Sequence, residues 1–138
     1  MTSYTWIPEV VIKIAHDDQI KEHGGSYGIL NENALLSTLS KPQNLLAYGE
    51  NVTLFDLAAA YGYGFAKNHC FVDGNKRMAL VAVNVFLILN GSKLTASEEE
   101  AASFFLGLAG KFETQEVGQA RLSQWIRENS QSQAELQT

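Results

Sequence analysis

The sequence is poor in residues that staple, anchor or break a chain. A single cysteine, Cys70, stands among 138 residues. No internal disulfide can form within it, and no cysteine set for zinc exists. Prolines number two, Pro8 and Pro42. Cations are in deficit: 10 Lys and Arg against 15 Asp and Glu leave a formal charge of −5. A dedicated nucleic-acid binder needs a basic face to displace counterions from phosphates, so direct nucleic-acid binding is set aside. Long apolar runs are missing as well. The most apolar segment, Met78 to Leu89, contains Asn84 and spans 12 residues, short of the ~20 that cross a bilayer. The start, Met1-Thr2-Ser3-Tyr4-Thr5-Trp6, has no basic n-region and no apolar h-region. A cytoplasmic protein in a reducing compartment, without membrane contact, is the expectation.

An apolar fraction of 46% is enough to build a core, and the length suits one domain. That domain is expected over 1–128. The remainder, 129–138, is polar and without periodicity, and is expected to be a disordered tail. The fold class reads as all-α, a compact bundle of about six helices with one short hairpin-like insertion. Pro8 suits a helix start, and Val10, Val11, Ile14, Ala15 and Ile20 form a broken stripe, predicting a helix over Pro8 to Glu22. Gly24-Gly25-Ser26-Tyr27-Gly28 stops it in a turn or short hairpin. Asn31 can cap a second helix burying Ala34, Leu35, Leu36 and Leu39, and Pro42 is expected to end it, leaving Gln43 to Gly49 as a connector. Thr53-Leu54-Phe55-Asp56 is a capping box for a helix to about Asn68, with Gly62 and Gly64 inside for close packing. Met78 to Leu89, closed by Gly91, reads as the central buried helix. Ser97-Glu98-Glu99-Glu100 opens another, to about Lys111, and Thr114 caps a last one with Val117, Leu122, Trp125 and Ile126. His16 and His23 read as structural or surface residues, and Trp6 and Trp125 as core anchors.

Chemistry concentrates in His69-Cys70-Phe71-Val72-Asp73-Gly74-Asn75-Lys76-Arg77. His69 closes one helix, Asp73-Gly74-Asn75 makes a tight loop, and Lys76 and Arg77 begin the next helix. A glycine there lets successive backbone N–H groups converge, with a helix N-terminus behind them, as an anion nest. Asp73 offers hard oxygen for Mg²⁺. Arg77 offers a planar fork that matches phosphate oxygens. His69 can serve as a base, since a histidine side chain titrates near neutral pH. From Lys67 to Arg77 there are three cations against one anion, a cationic spot suited to a polyphosphate. Singly, each residue has an ordinary structural explanation. Jointly, at these spacings, they arise by chance in roughly one chain per 10⁵ to 10⁶. Phosphoryl or nucleotidyl transfer needs this set of parts.

The segment resembles the signature of the Fic family, His-x-Phe-x-(Asp/Glu)-Gly-Asn-x-Arg. Ile14-Ala15-His16-Asp17, Gly24-Gly25-x-x-Gly28, Lys41-Pro42-Gln43-Asn44, Ala47-Tyr48-Gly49 and Leu57-Ala58-Ala59-Ala60-Tyr61 look like its death-on-curing (Doc) branch. The resemblance implies a Fic-fold bundle and a role for each matching position. His69 is implied as general base, Phe71 as a buried pin for the loop, and Asp73 as the Mg²⁺ ligand. Gly74, Asn75, Lys76 and Arg77 are implied to bind the phosphates of ATP. Gly25, Ser26, Tyr27 and Gly28 fall at the family's flap, which docks a target segment by strand-like pairing.

The subclass turns on departures from the pattern. Adenylylating members usually continue the motif as Gly-Asn-Gly-Arg-x-x-Arg; here Lys76 replaces the second Gly and Leu80 the second Arg. Doc-type toxins share both changes and transfer the γ-phosphate of ATP to elongation factor Tu, stopping translation. Gly74 pulls the other way, since the best-known Doc form has Ala there. Cys70 stands where Pro is common and reads as a small packing residue. The built-in inhibitory pattern Ser/Thr-x-x-x-Glu-Gly/Asn has no match, because Val10 follows Glu9 in the nearest candidate from Thr5. The implied function is therefore a toxin kinase restrained in trans by a Phd-type antitoxin. An AMP transferase and a catalytically silent antitoxin-binding module stay open as alternatives.

Overall fold

A computed structural model of the chain describes residues 3–109 and 114–133. Among these residues the order is α1 (Glu9–His23), α2 (Glu32–Tyr48), α3 (Leu54–Lys67), α4 (Asn75–Leu89), β1 (Ser92–Leu94), α5 (Glu98–Ala109), α6 (Gln115–Glu128) and β2 (Ser130–Ser132). The all-α expectation holds, with one small antiparallel pair added. No helix among the described residues is long and apolar enough to cross a membrane.

Polar side chains fix most helix starts where the sequence places them. Asn31 Oδ1 accepts from the Ala34 amide at 2.9 Å. Thr53 and Asp56 form a reciprocal capping box, at 3.2 and 2.9 Å. Ser97 Oγ accepts from the Glu100 amide at 3.1 Å, and Thr114 Oγ1 from the Val117 amide at 3.2 Å. Each satisfies an amide that a helix leaves open at its first turn.

The core is organised around α3, which packs on α2, α4 and α6. It buries nine of its residues, against six in α4. This corrects the expectation that the 78–89 helix is central: Ile88 and Leu89 at its end are 46% and 40% exposed. The small residues Ala58, Ala59, Ala60, Gly62 and Gly64 let neighbouring helices approach α3 closely. A Cβ built on Gly62 would lie 2.6 Å from Val83 Cγ2 and 3.0 Å from Leu122 Cδ2, and one on Gly64 2.7 Å from Thr38 Cγ2. Aromatic anchors finish the two ends. Trp6 stacks on Phe86 at 5.8 Å and Trp125 on Phe104 at 4.8 Å, both half-buried.

Three further expectations are corrected. Pro42 does not end α2; it lies buried inside it, and residues 43–48 are helical. The missing proline donor costs roughly 3 kcal/mol in an isolated helix, but Leu45 and Leu46 beyond it pack on the core and offset that loss. Leu36, expected inside, is 46% exposed. The tail is ordered at its start: β2 pairs with β1 in the register Ser92↔Ser132, Lys93↔Gln131 and Leu94↔Ser130. The expected helix end at Lys111 and the last five residues lie outside the described residues.

Replacing Gly62 with Ala should lower stability despite its better helix propensity. Overpacking costs about 1–3 kcal/mol against a propensity gain of ~1, so the urea midpoint is expected to fall. A second prediction concerns acid. Burial raises the pKa of Asp56, but hydrogen bonds from Ser123 and Thr53, with the charge of Arg127, outweigh it and leave the group below its ordinary value. Such a carboxylate contributes stability above its unfolded pKa and loses it as pH falls through the lowered value. Asp56→Asn should therefore flatten the decline of thermal midpoint below about pH 4.

Candidate active site

Helix α3 is capped by Asn68, whose amide bonds Gly64 O at 2.9 Å. The next residue, His69, takes the left-handed conformation with φ 51°. A non-glycine residue there costs about 1 kcal/mol. Here it stops the helix and leaves the imidazole exposed at the surface. Cys70 and Phe71 then dive inward, at 0% and 1% exposure. The Cys70 thiol lies 3.4 Å from Thr38 Oγ1, and burial pushes its pKa up despite that contact. It is a packing residue.

The loop is closed by Asn75. Its Oδ1 accepts from the Phe71 amide at 3.0 Å and its Nδ2 donates to Phe71 O at 2.9 Å. The side chain of Asn75 is thus spent on the loop's own backbone, and what it can offer an anion is its backbone N–H. Gly74 sits at φ 77°, ψ 20° as the N-cap of α4. The first helical bond of α4 runs from Met78 N to Gly74 O at 3.0 Å, so the amides of Asn75, Lys76 and Arg77 form the open N-terminus of the helix. Glycine spares the loop the left-handed strain. Space is not the constraint, because a Cβ would meet Ile20 Cδ1 at 3.4 Å and His16 Nε2 at 3.8 Å, ordinary contacts.

These elements border an open cleft of about 420 Å³ lined by Ala66, His69, Val72, Asp73, Gly74, Asn75, Lys76 and Arg77. All the polar candidates of the motif therefore border one space. His69, Lys76 and Arg77 are exposed, and none of the described residues bonds their side chains. Arg77 also borders a second cleft of about 340 Å³, with Leu80, Val81, Glu22, His23 and Glu98 on its walls. Among the described residues no group of three or more His, Cys, Asp or Glu is gathered for a metal.

Of the turn or short hairpin expected at Gly24 to Gly28, the structure shows irregular, non-helical chain. The Gly24 to Asn31 segment does not pair with itself; it runs in extended form against the motif loop. Leu30 N donates to Cys70 O at 2.8 Å, Asn31 N to Cys70 O at 3.2 Å, and Val72 N to Gly28 O at 3.1 Å. Ile29 and Phe71 form an antiparallel bridge. Ser26 N donates to Asp73 Oδ2 at 3.2 Å, while Gly74 N donates to Oδ1 at 2.9 Å. Gly25 is required for this approach: a Cβ on it would lie 2.6 Å from Asp73 Oδ2. Tyr27 is 57% exposed beside this seam.

Sequence reasoning missed His16 as a part of the site. It is 2% exposed, its Nε2 lies 2.8 Å from Asp73 O, and its ring stacks on Phe71 at 4.0 Å and 9°. The available signal was its place midway between Ile12 and Ile20, which with it are the buried residues of α1. A histidine on an apolar stripe needs a partner inside.

Asn75→Ala should expose the role of the loop bracket. It leaves the Phe71 amide and carbonyl without their partner, at a cost of about 1–3 kcal/mol. The expected outcome is a lower thermal midpoint together with faster proteolysis between residues 69 and 75. An unchanged midpoint would show that the bracket contributes nothing.

Comparison with known proteins agrees with this geometry. Residues 6–87 match the model of the Fic/DOC family. The chain is 35% identical over 94 residues to a protein of Escherichia phage P1 named Protein kinase doc, an alignment covering 68% of this chain and 74% of the relative. It is 39% identical over 75 residues to Toxin Doc of Mycolicibacterium smegmatis, covering 53% of this chain and 57% of the relative. With more than half of its length matched, and the motif loop set between two packed helices, the chain belongs to the Fic/DOC family.

Proposed function

We propose that the protein is a Doc-type toxin that transfers the γ-phosphate of Mg·ATP to a hydroxyl of a target protein. The supporting observation is one open cleft bordered by an exposed imidazole, an exposed carboxylate, an open helix N-terminus and two cations that no described residue bonds. Backbone amides at a helix start hold phosphate oxygens without a charge of their own. Lys76 and Arg77 complement the polyphosphate, Arg77 through its fork. Asp73 accepts two hydrogen bonds of about four that a carboxylate can take, so it keeps capacity to hold Mg²⁺ together with phosphate oxygens. The ion, when bound, would neutralise charge on the phosphates.

In this reading His69 takes the proton of the acceptor hydroxyl as its oxygen attacks the γ-phosphorus. The bond from the γ-phosphorus to the β,γ-bridging oxygen breaks, and ADP leaves. Phe71, held in the core, keeps the loop and therefore the imidazole in register.

The second cleft beside Arg77 favours γ-transfer over AMP transfer. Position 80, where adenylylating relatives carry an arginine, lies on the wall of that cleft, and here Leu80 stands with Glu22 and Glu98. Two carboxylates around a single arginine make a poor second phosphate site. Gly74 does not decide the matter: an Ala there would find room for its methyl but would carry left-handed strain. By the same resemblance the target is elongation factor Tu, and restraint comes in trans from a Phd-type antitoxin.

Incubation of the protein and elongation factor Tu with ATP labelled at the α- or the γ-phosphate tests this directly. Label from the γ-position is expected on the target, with EDTA abolishing transfer and Mg²⁺ restoring it. Label from the α-position would establish an AMP transferase instead. His69→Ala should slow transfer by about 10²–10⁴-fold; growth arrest and labelling indifferent to that change would leave a silent antitoxin-binding module.

A further inference from the structure

The peptide that joins Asp73 to Gly74 is held from both sides. Its carbonyl oxygen meets His16 Nε2 at 2.8 Å, and its N–H meets the Asp73 carboxylate at 2.9 Å. A carbonyl oxygen accepts and cannot donate, so the His16 nitrogen facing it carries the proton. The ring has little freedom to do otherwise, being 2% exposed and stacked face to face on Phe71. Phe71 in turn stacks on Phe65 at 6.2 Å. His16 therefore approaches the loop on a rigid support.

The alternative to this arrangement is a flip of the peptide plane. In a trans peptide the carbonyl and the N–H point in opposite directions. Here the carbonyl is drawn toward α1, and the N–H faces away from it. Half a turn of the plane would carry φ of Gly74 from 77° to about −100°, a change of the kind that relates type I and type II turns. Neither state strains a glycine. The flipped state would swing the carbonyl oxygen to the side now taken by the N–H, next to the open amides of Asn75, Lys76 and Arg77. A carbonyl dipole there occupies the helix N-terminus and repels an anion.

We propose that His16 is a positioning residue that keeps the Asp73 carbonyl out of the phosphate cradle by donating a hydrogen bond to it. This rests on the reading of the cleft as a polyphosphate site. Loss of the donor leaves the binding-competent loop only fractionally populated, so apparent affinity falls by that fraction while the bound state is unaltered. His16 touches no reacting atom in this account. Its effect belongs in KM and not in kcat.

Three measurements test it. Long-range ¹H–¹⁵N spectra of the wild-type protein should show His16 as the Nε2–H tautomer; the Nδ1–H tautomer would overturn the proposal. His16→Phe keeps the stack and removes the donor, and His16→Gln restores a donor at similar reach. The Phe variant is expected to raise KM for MgATP about 3- to 10-fold with kcat within about twofold, and the Gln variant to recover most of the loss. A folded Phe variant with unchanged KM, or one that loses kcat at constant KM, would overturn it. Finally, ¹⁵N relaxation dispersion at Gly74 should appear in the Phe variant and be absent in wild type, and its absence from both would also overturn it. Calorimetry of wild type with MgATP and with inorganic triphosphate separates the two levels. A wild type that binds neither sinks the polyphosphate reading, while the tautomer and Gly74 dispersion judge the loop contact independently.

Discussion

Everything at the site depends on the two bonds that the Asn75 side chain makes to the backbone of Phe71. They close a five-residue loop onto itself and hand one end of it to the core through the Phe71 ring. A loop so short carries polar backbone groups that must be paired if the ring between them is to be buried. Asn75 meets that need with a carbonyl for the amide and an amide for the carbonyl, which no other side chain except glutamine could do. With Phe71 fixed, His69 emerges on one side of the buried pair and Gly74 on the other. Geometry at the surface is thus set by a hydrogen-bonded hinge one layer beneath it.

Much of this was legible in the residues. Helix starts were announced by Asn31, Thr53, Ser97 and Thr114, because capping is a local interaction that a few neighbouring residues decide. That the polar residues from His69 to Arg77 would border one space was legible for the same reason, because they come from one contiguous stretch. What could not be read is what depends on distant partners. Pro42 breaks a helix by every local rule, and remains inside α2 because Leu45 and Leu46 reach the core. Ser92–Leu94 and Ser130–Ser132 carry no strand-like pattern, and they pair across 35 residues of intervening chain at their closest register position, Leu94 with Ser130, because α5 and α6 bring them together. The α3 helix outranks α4 in burial because its small residues let three neighbours approach, which depends on where those neighbours lie.

His16 is the instructive omission. Its sequence surroundings were noticed as family-like, yet its chemistry depends on Asp73, 57 residues later. The Gly24 to Asn31 segment makes the same point. Glycines at 24, 25 and 28 signal irregular backbone, but only the fold reveals that the segment runs along the motif loop and spends the Ser26 amide on the Asp73 carboxylate. Asn75 shows a different kind of gap: the residue lines the cleft with the rest of the motif, but its amide group turns out to serve the loop's backbone.

Duties in this region are divided among different residues. Phe71, Asn75 and His16 look inward and are satisfied by protein; His69, Lys76 and Arg77 look outward, unbonded by any described residue. The outward three contribute next to nothing to cohesion, since exposed side chains without partners scarcely weigh in the balance of folding. Under the proposed transferase reading, architecture and reactivity are therefore separable here. On that reading, a descendant that lost all three would keep its fold, and would be silenced without being dismantled.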